Sequence, residues 1–162
     1  MIEGGVNYLA VSSLEEAIEI RKYNREIPVL CLEVIDLEYI YDCINNNVTI
    51  TVESLEYLEE LMKIKLDYNV KVHLKLNTGM NRLGMNSKKD VNKCYELITN
   101  SKKLKLEGIY THFATSGVSD KHYDEQLEKF KQLTKDIDLS SIPIVHLGRS
   151  LTLVNHDKPD FV

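Results

Sequence analysis

Arg82 stands in an unusual stretch, HLKLNTGMNRLGM (residues 73–85), which starts as an alternating apolar strand and breaks into two glycines, two asparagines and a threonine. A segment that only turned a corner would not need a cation among Met80, Leu83 and Met85. Lys75 precedes it in the same stretch. Further along, YTHFATS carries Thr111, His112, Thr115 and Ser116, and IPIVHLGRS carries His146, Gly148, Arg149 and Ser150. Ser12 and Ser13 follow the first apolar run. Cations, histidines and hydroxyls gathered at the ends of apolar runs suit an anionic ligand such as a phosphate or a carboxylate. Ser150 also opens the helical pattern SLTLVN, and a serine at a helix start is both a cap and a good phosphate ligand. Each residue has a plainer alternative. Arg82 can pair with a surface carboxylate, His112 can be a core histidine bonded to a backbone carbonyl, and Ser150 can simply cap its helix. Strand parity does not settle whether Lys75 points inward or to solvent. No nucleophile–base pair and no His/Cys/Asp cluster of metal spacing is legible.

The elements that must position these residues follow a regular beat. Apolar runs at 7–12, 27–34, 47–52, 69–76, 104–114 and 142–148 read as mostly buried strands with little strict alternation. Between them, 14–24, 36–46, 53–68, 88–102 and 119–138 carry helical spacing, the first opened by a Ser13–Glu16 capping box. Strand and helix alternate throughout, the signature of a parallel α/β sheet, doubly wound or barrel-like. No Gly-rich phosphate fingerprint follows the first strand, which disfavours a dinucleotide fold. In both architectures ligands gather at the carboxyl ends of the strands, where the candidate residues fall. A closed eight-stranded barrel needs roughly 250 residues, so the barrel reading makes these six βα units part of one.

Composition narrows the function classes. With 162 residues, 43% hydrophobic, 28% charged and 3 Pro, the chain reads as one globular domain. A net charge of -5 offers no basic stripe for nucleic acid. No apolar run reaches about 18 residues, so no membrane span is expected. Cys31, Cys43 and Cys94 are odd in number and without metal spacing, which suits buried thiols in a reducing compartment and a cytoplasmic protein.

At the same residues the sequence resembles the alanine racemases, pyridoxal 5'-phosphate (PLP) enzymes with a fold type III barrel. VHLKLNTGMNRLGM is similar to that family's strand-five motif H-x-K-x-D-T-G-M-x-R-x-G. LEGIYTHFATSGVSD followed by YDEQLEKF is similar to its strand-six segment with a downstream Gln and Phe. PIVHLGRSLTL lies where the family has H-x-A-N-S-A. Asn77 replaces the usual Asp, and Gly148–Arg149 replace Ala–Asn. The resemblance covers essentially the whole chain and implies a partial (β/α)8 TIM-type barrel, strands two to seven, with residues 1–162 forming part of the PLP-binding domain.

The resemblance also implies roles. Arg82 would approach the phenolic oxygen of PLP, with Lys75 (carbamylated in some relatives) holding it in place. His112 would lie over or beside the pyridine ring and Ser150 would contact the phosphate; Arg149, which stands where the family has Asn, either pairs with the phosphate directly or marks a relaxed constraint. The implied activity is interconversion of L- and D-alanine for peptidoglycan, on a small amino-acid substrate and in a homodimer. Racemisation of serine or another small amino acid, and a non-catalytic PLP or phosphate binder, remain alternatives. The family's cofactor lysine lies in a first-strand motif, K-A-x-A-Y-G-H-G, which these 162 residues do not contain. Its arginine facing the pyridine nitrogen belongs to the eighth strand, and the opposite base, a tyrosine, to a C-terminal domain. The expectation is therefore no covalent cofactor attachment in this chain by itself. An alanine racemisation assay with added PLP is expected to show no turnover above a heat-killed control.

Overall fold

The computed structural model describes residues 4–114 and 121–148. Six strands, β1 (Leu9–Val11), β2 (Val29–Cys31), β3 (Val48–Val52), β4 (Val70–Leu76), β5 (Leu104–His112) and β6 (Ile144–Gly148), alternate with five helices. These are α1 (Leu14–Arg21), α2 (Ile40–Asn45), α3 (Leu55–Lys63), α4 (Lys88–Thr99) and α5 (Lys121–Leu133). Every strand pairs in parallel with its sequence neighbours, in the order β1-β2-β3-β4-β5-β6. A doubly wound sheet would reverse its order at a switch point. This one does not, and it curls as a partial (β/α) barrel.

Local chemistry accounts for the beat. Ser13, Ser54 and Ser87 cap α1, α3 and α4, each accepting a backbone N–H three residues on. Glu16 closes the first cap by accepting from Ser12 N at 2.8 Å. Asn47, at φ 48°, turns the chain from α2 into β3.

The core lies between the convex face of the sheet and the helices. Val29, Cys31, Val48, Ile50, Val52, Val70, Val72, Leu74 and Leu76 pack there with Ala17, Leu58, Leu61, Val91, Cys94 and Ile98. The concave face is different. Along β4 the apolar residues alternate with Lys71, His73 and Lys75, so the strict alternation not seen in most strands is complete in this one. All three cysteines are buried. Burial raises their thiols, Cys31 to about 11 and Cys43 and Cys94 to about 12, so they are inert core residues. No described helix is long and apolar enough to cross a membrane.

At the opposite end of the sheet from the candidate site, Arg21 ties two strand entries together. Its buried guanidinium donates to the carbonyls of Asn24, Ile27, Asn46 and Asn47 at 2.6–3.2 Å. These precede β2 and β3. Methionine keeps the stem and leaves four acceptors without their donor, so Arg21→Met is expected to lower stability by about 2–4 kcal/mol. The check is the midpoint of urea denaturation.

Candidate functional site

The site is built on β4 and β5 and reaches β6. In register, His73 lies beside Gly108, Lys75 beside Tyr110, and Leu76 beside Thr111. On the next strand Tyr110 lies beside His146 and His112 beside Gly148. Parallel partners share a face, so the concave side of the sheet carries His73, Lys75, Tyr110, His112 and His146. Between Val72 and His73 the register slips by one residue. The extra residue on β5 is Glu107, and the bulge turns its carboxylate inward.

Two tiers result. In the lower, Glu107 accepts from Tyr8 OH and Thr49 Oγ1, both at 2.7 Å, and lies 3.5 Å from His73 Nε2 and 3.6 Å from Lys71 Nζ. His73 is fully buried, and its Nδ1 is 3.2 Å from His146 Nε2. Gly108 makes room for it, because a Cβ there would lie 2.4 Å from the imidazole Cε1. In the upper tier, Tyr110 and His146 stack with centroids 4.5 Å apart and planes 7° from parallel. Lys75 Nζ sits 4.5 Å from the centre of the Tyr110 ring. Tyr110 OH is 2.9 Å from Thr51 Oγ1, which donates to Cys31 O.

Electrostatics separates the tiers. Burial would raise the Glu107 carboxyl, but hydrogen bonds from His73, Tyr8 and Thr49 and the charge of Lys71 outweigh it and hold it at about 2. The lower tier is thus a settled anion among donors. Above it, burial and then the charge of Arg82 lower Lys75 to about 8. Burial, with His73 and Lys75 adding to it, lowers His146 to about 3 and keeps that imidazole neutral. Among the described residues, neither Lys75 nor Arg82 forms an ion pair with a carboxylate.

Arg82 is exposed on the loop that leaves β4. Asn77 Oδ1 accepts from Gly79 N and Asn81 N at 3.2 and 3.0 Å, and Met85 N returns to Lys75 O at 2.9 Å. Thr78 bonds to Thr111 hydroxyl to hydroxyl at 2.8 Å, and Thr111 also donates to Leu76 O. Thr111 and Ser13 are therefore engaged in the scaffold. His112 ends β5, half buried at the rim. Of the expected residues, Lys75 turns inward and shares the concave face with His112, and its charge interacts with that of Arg82. Arg149, Ser150, Thr115 and Ser116 lie outside the described residues. Sequence reasoning missed Tyr8, Thr49, His73, Glu107 and Tyr110. The alternation in β4 could have given His73, but the bulge hides Glu107.

A parallel sheet that curls with Lys75 and flat aromatic rings on its concave face, and with Arg82 on the loop at its rim, is a partial (β/α) barrel domain. Comparison with known proteins gives the family. The model for "Alanine racemase, N-terminal domain" matches residues 1–162, and the chain belongs to that family. It is 32% identical to the alanine racemase of Halalkalibacterium halodurans over 99% of this chain and 42% of that one. It superposes on the crystal structure of alanine racemase from Oenococcus oeni with a TM-score of 0.89 at 32% identity, covering 98% of this chain and 47% of that one. The Bacillus anthracis alanine racemase with bound L-Ala-P gives a TM-score of 0.85 at 27% identity, over 96% and 42%. The chain thus spans less than half the length of these relatives. The family is pyridoxal-phosphate dependent. The residues present fit that group: neither Lys75 nor Arg82 is paired with a carboxylate among the described residues, and the Tyr110–His146 stack provides aromatic surface beside them.

The lower tier makes acid stability testable. The folded Glu107 carboxyl titrates near 2 against an ordinary 4.5, so its contribution is complete above about pH 4.5 and is lost as pH falls through 2. At neutral pH it amounts to about 3 kcal/mol. Glu107→Gln is expected to lose most of this at pH 7, and the gap from the parent to close as pH falls from about 5 to 2. Urea melts at a series of pH values measure that gap.

Proposed function

We propose that residues 1–162 form the cofactor-cradling part of an alanine racemase barrel and that the whole protein interconverts L- and D-alanine with PLP. The observation that carries the reading is the pair Lys75 and Arg82, two cations on one rim without a carboxylate partner among the described residues. Family membership supports reading that pair as part of a cofactor site. When bound, PLP supplies the electron sink that makes a substrate Cα–H acidic. This chain's residues bind and orient. Arg82 would hold the cofactor's phenolic oxygen, His112 would support its ring, and Ser150 with Arg149 would take its phosphate.

Lys75 is the positioning partner of Arg82. As an ammonium it repels the guanidinium, and as a neutral amine, favoured by burial, it does not. Reaction of that amine with CO2 forms an N–C bond and releases one proton, giving a carbamate. The like-charged pair then becomes an oppositely charged one, and Arg82 gains an acceptor that holds it over the site.

PLP titration of the full chain, followed by the cofactor's absorbance and fluorescence, tests the reading. A charge-assisted bond lost on binding corresponds to roughly 10–100-fold in affinity. Arg82→Ala and Ser150→Ala are expected to weaken binding by that order, and Arg82→Lys by less. Saturation with equal affinity in the parent and in Arg82→Ala would overturn the assignment of Arg82. No binding by the parent at millimolar PLP would overturn the site.

A further inference from the structure

Arg82 sits on the loop that leaves β4 and His112 ends β5 just before the next loop, and a usable site needs them fixed relative to one another. Gln126, in the second turn of α5, lies between those loops. It is 4% exposed, and its amide faces both. Its Oε1 accepts from Ala114 N at 2.8 Å, just after His112, while its Nε2 donates to His122 O at 2.9 Å, which fixes the orientation of the amide. The same side chain presses on the β4 loop. A Cβ built on Gly79 would lie 2.9 Å from Gln126 Cγ and 3.2 Å from both Cδ and Oε1. Only a residue without a side chain allows this approach, and Gly79 stands a few residues before Arg82. Gly79 N is in turn bound to Asn77 Oδ1, the acceptor that also shapes the chain at Asn81.

We infer that Gln126 is a positioning residue that latches the Arg82 loop to the exit of β5, setting the distance between Arg82 and His112. It touches neither cofactor nor substrate and acts through Gly79 and Ala114. Burial makes the amide well suited to this. With both polar ends satisfied it does not swing, and it transmits a displacement of one loop to the other. The inference rests on the PLP-site reading for its functional consequence, but the latch itself is measurable without cofactor.

The first test is amide hydrogen exchange on the cofactor-free full chain. Gln126→Leu keeps the bulk and removes the acceptor. Exchange is expected to quicken at least tenfold at Ala114 and also at Gly79 and Asn81, with the amides of β1–β3 unchanged. Quickening at Ala114 alone, or at none of the three, would overturn the latch. Gln126→Glu keeps an acceptor for Ala114 N and is expected to restore protection at Ala114 most of the way, which a general loss of packing would not do. The second test is a double-mutant cycle read by PLP affinity. Gly79→Ala is expected to weaken binding more than tenfold in the parent and by less in Gln126→Ala, where the clash of the added methyl group is relieved and only the strain of an L residue at φ +158° remains. Fold-changes that simply multiply would overturn the coupling. If Arg82→Ala leaves affinity untouched while the exchange pattern is as expected, the site reading fails and the latch stands.

Discussion

Burying His73 is the constraint on which the concave face depends. An imidazole with no exposed surface must find partners for both ring nitrogens, and each solution shapes a neighbour. Nε2 requires an acceptor at the level of β5, and the β-bulge supplies Glu107 there. The ring requires space, and Gly108 supplies it by having no Cβ. Nδ1 faces His146, which places that residue's ring against Tyr110. The bulge, the glycine and the stacked pair are therefore one arrangement rather than three local features, and Lys75 sits directly on top of it.

This arrangement places charge where a ligand can use it. Glu107 is consumed by Tyr8, Thr49, His73 and Lys71 in the lower tier and cannot neutralise anything at the rim. The upper tier is left with Lys75 and neutral aromatic surfaces, and Arg82 stands on the loop above it. A protein built only for stability would spread its single carboxylate differently, since an uncompensated buried ammonium costs free energy. The cost of that imbalance is offset by the stability of the apolar layer on the convex side. There the interdigitated Val, Ile and Leu residues of β2–β4 and the helices are independent of the site's polarity.

Much of this was legible in the sequence, and the parts that were not have identifiable reasons. The βα beat, the Ser13 cap and the strand ends were readable because apolar spacing and capping residues act locally. The choice between barrel and doubly wound sheet came from the family resemblance and not from periodicity, since strand order is set by which edges meet. Lys75 illustrates the limit. Its parity with His73 was evident, but which face was concave depended on the curl of the sheet. Glu107 lay beyond periodicity altogether, because a bulge shifts the alternation by one residue and places a carboxylate at a position that reads as outward-facing. Gln126 was visible only as part of a family pattern. Its contact with Gly79 joins residues far apart in sequence, and no local rule connects them.

Asn77 shows how the scaffold and the charge of the site are separable. The family pattern has an aspartate at this position. Here the residue's task is to accept two backbone N–H groups, from Gly79 and Asn81, and thereby hold the turn that carries Arg82. An amide oxygen does this as well as a carboxylate oxygen in geometry, with a weaker bond. What the substitution removes is a negative charge close to Arg82 on a rim that otherwise carries Lys75. An aspartate would draw part of the guanidinium's field to itself, whereas an asparagine leaves that field to act on Lys75. With an amide at position 77, the charge of Arg82 is felt instead by Lys75, whose ammonium burial already disfavours and that charge disfavours further.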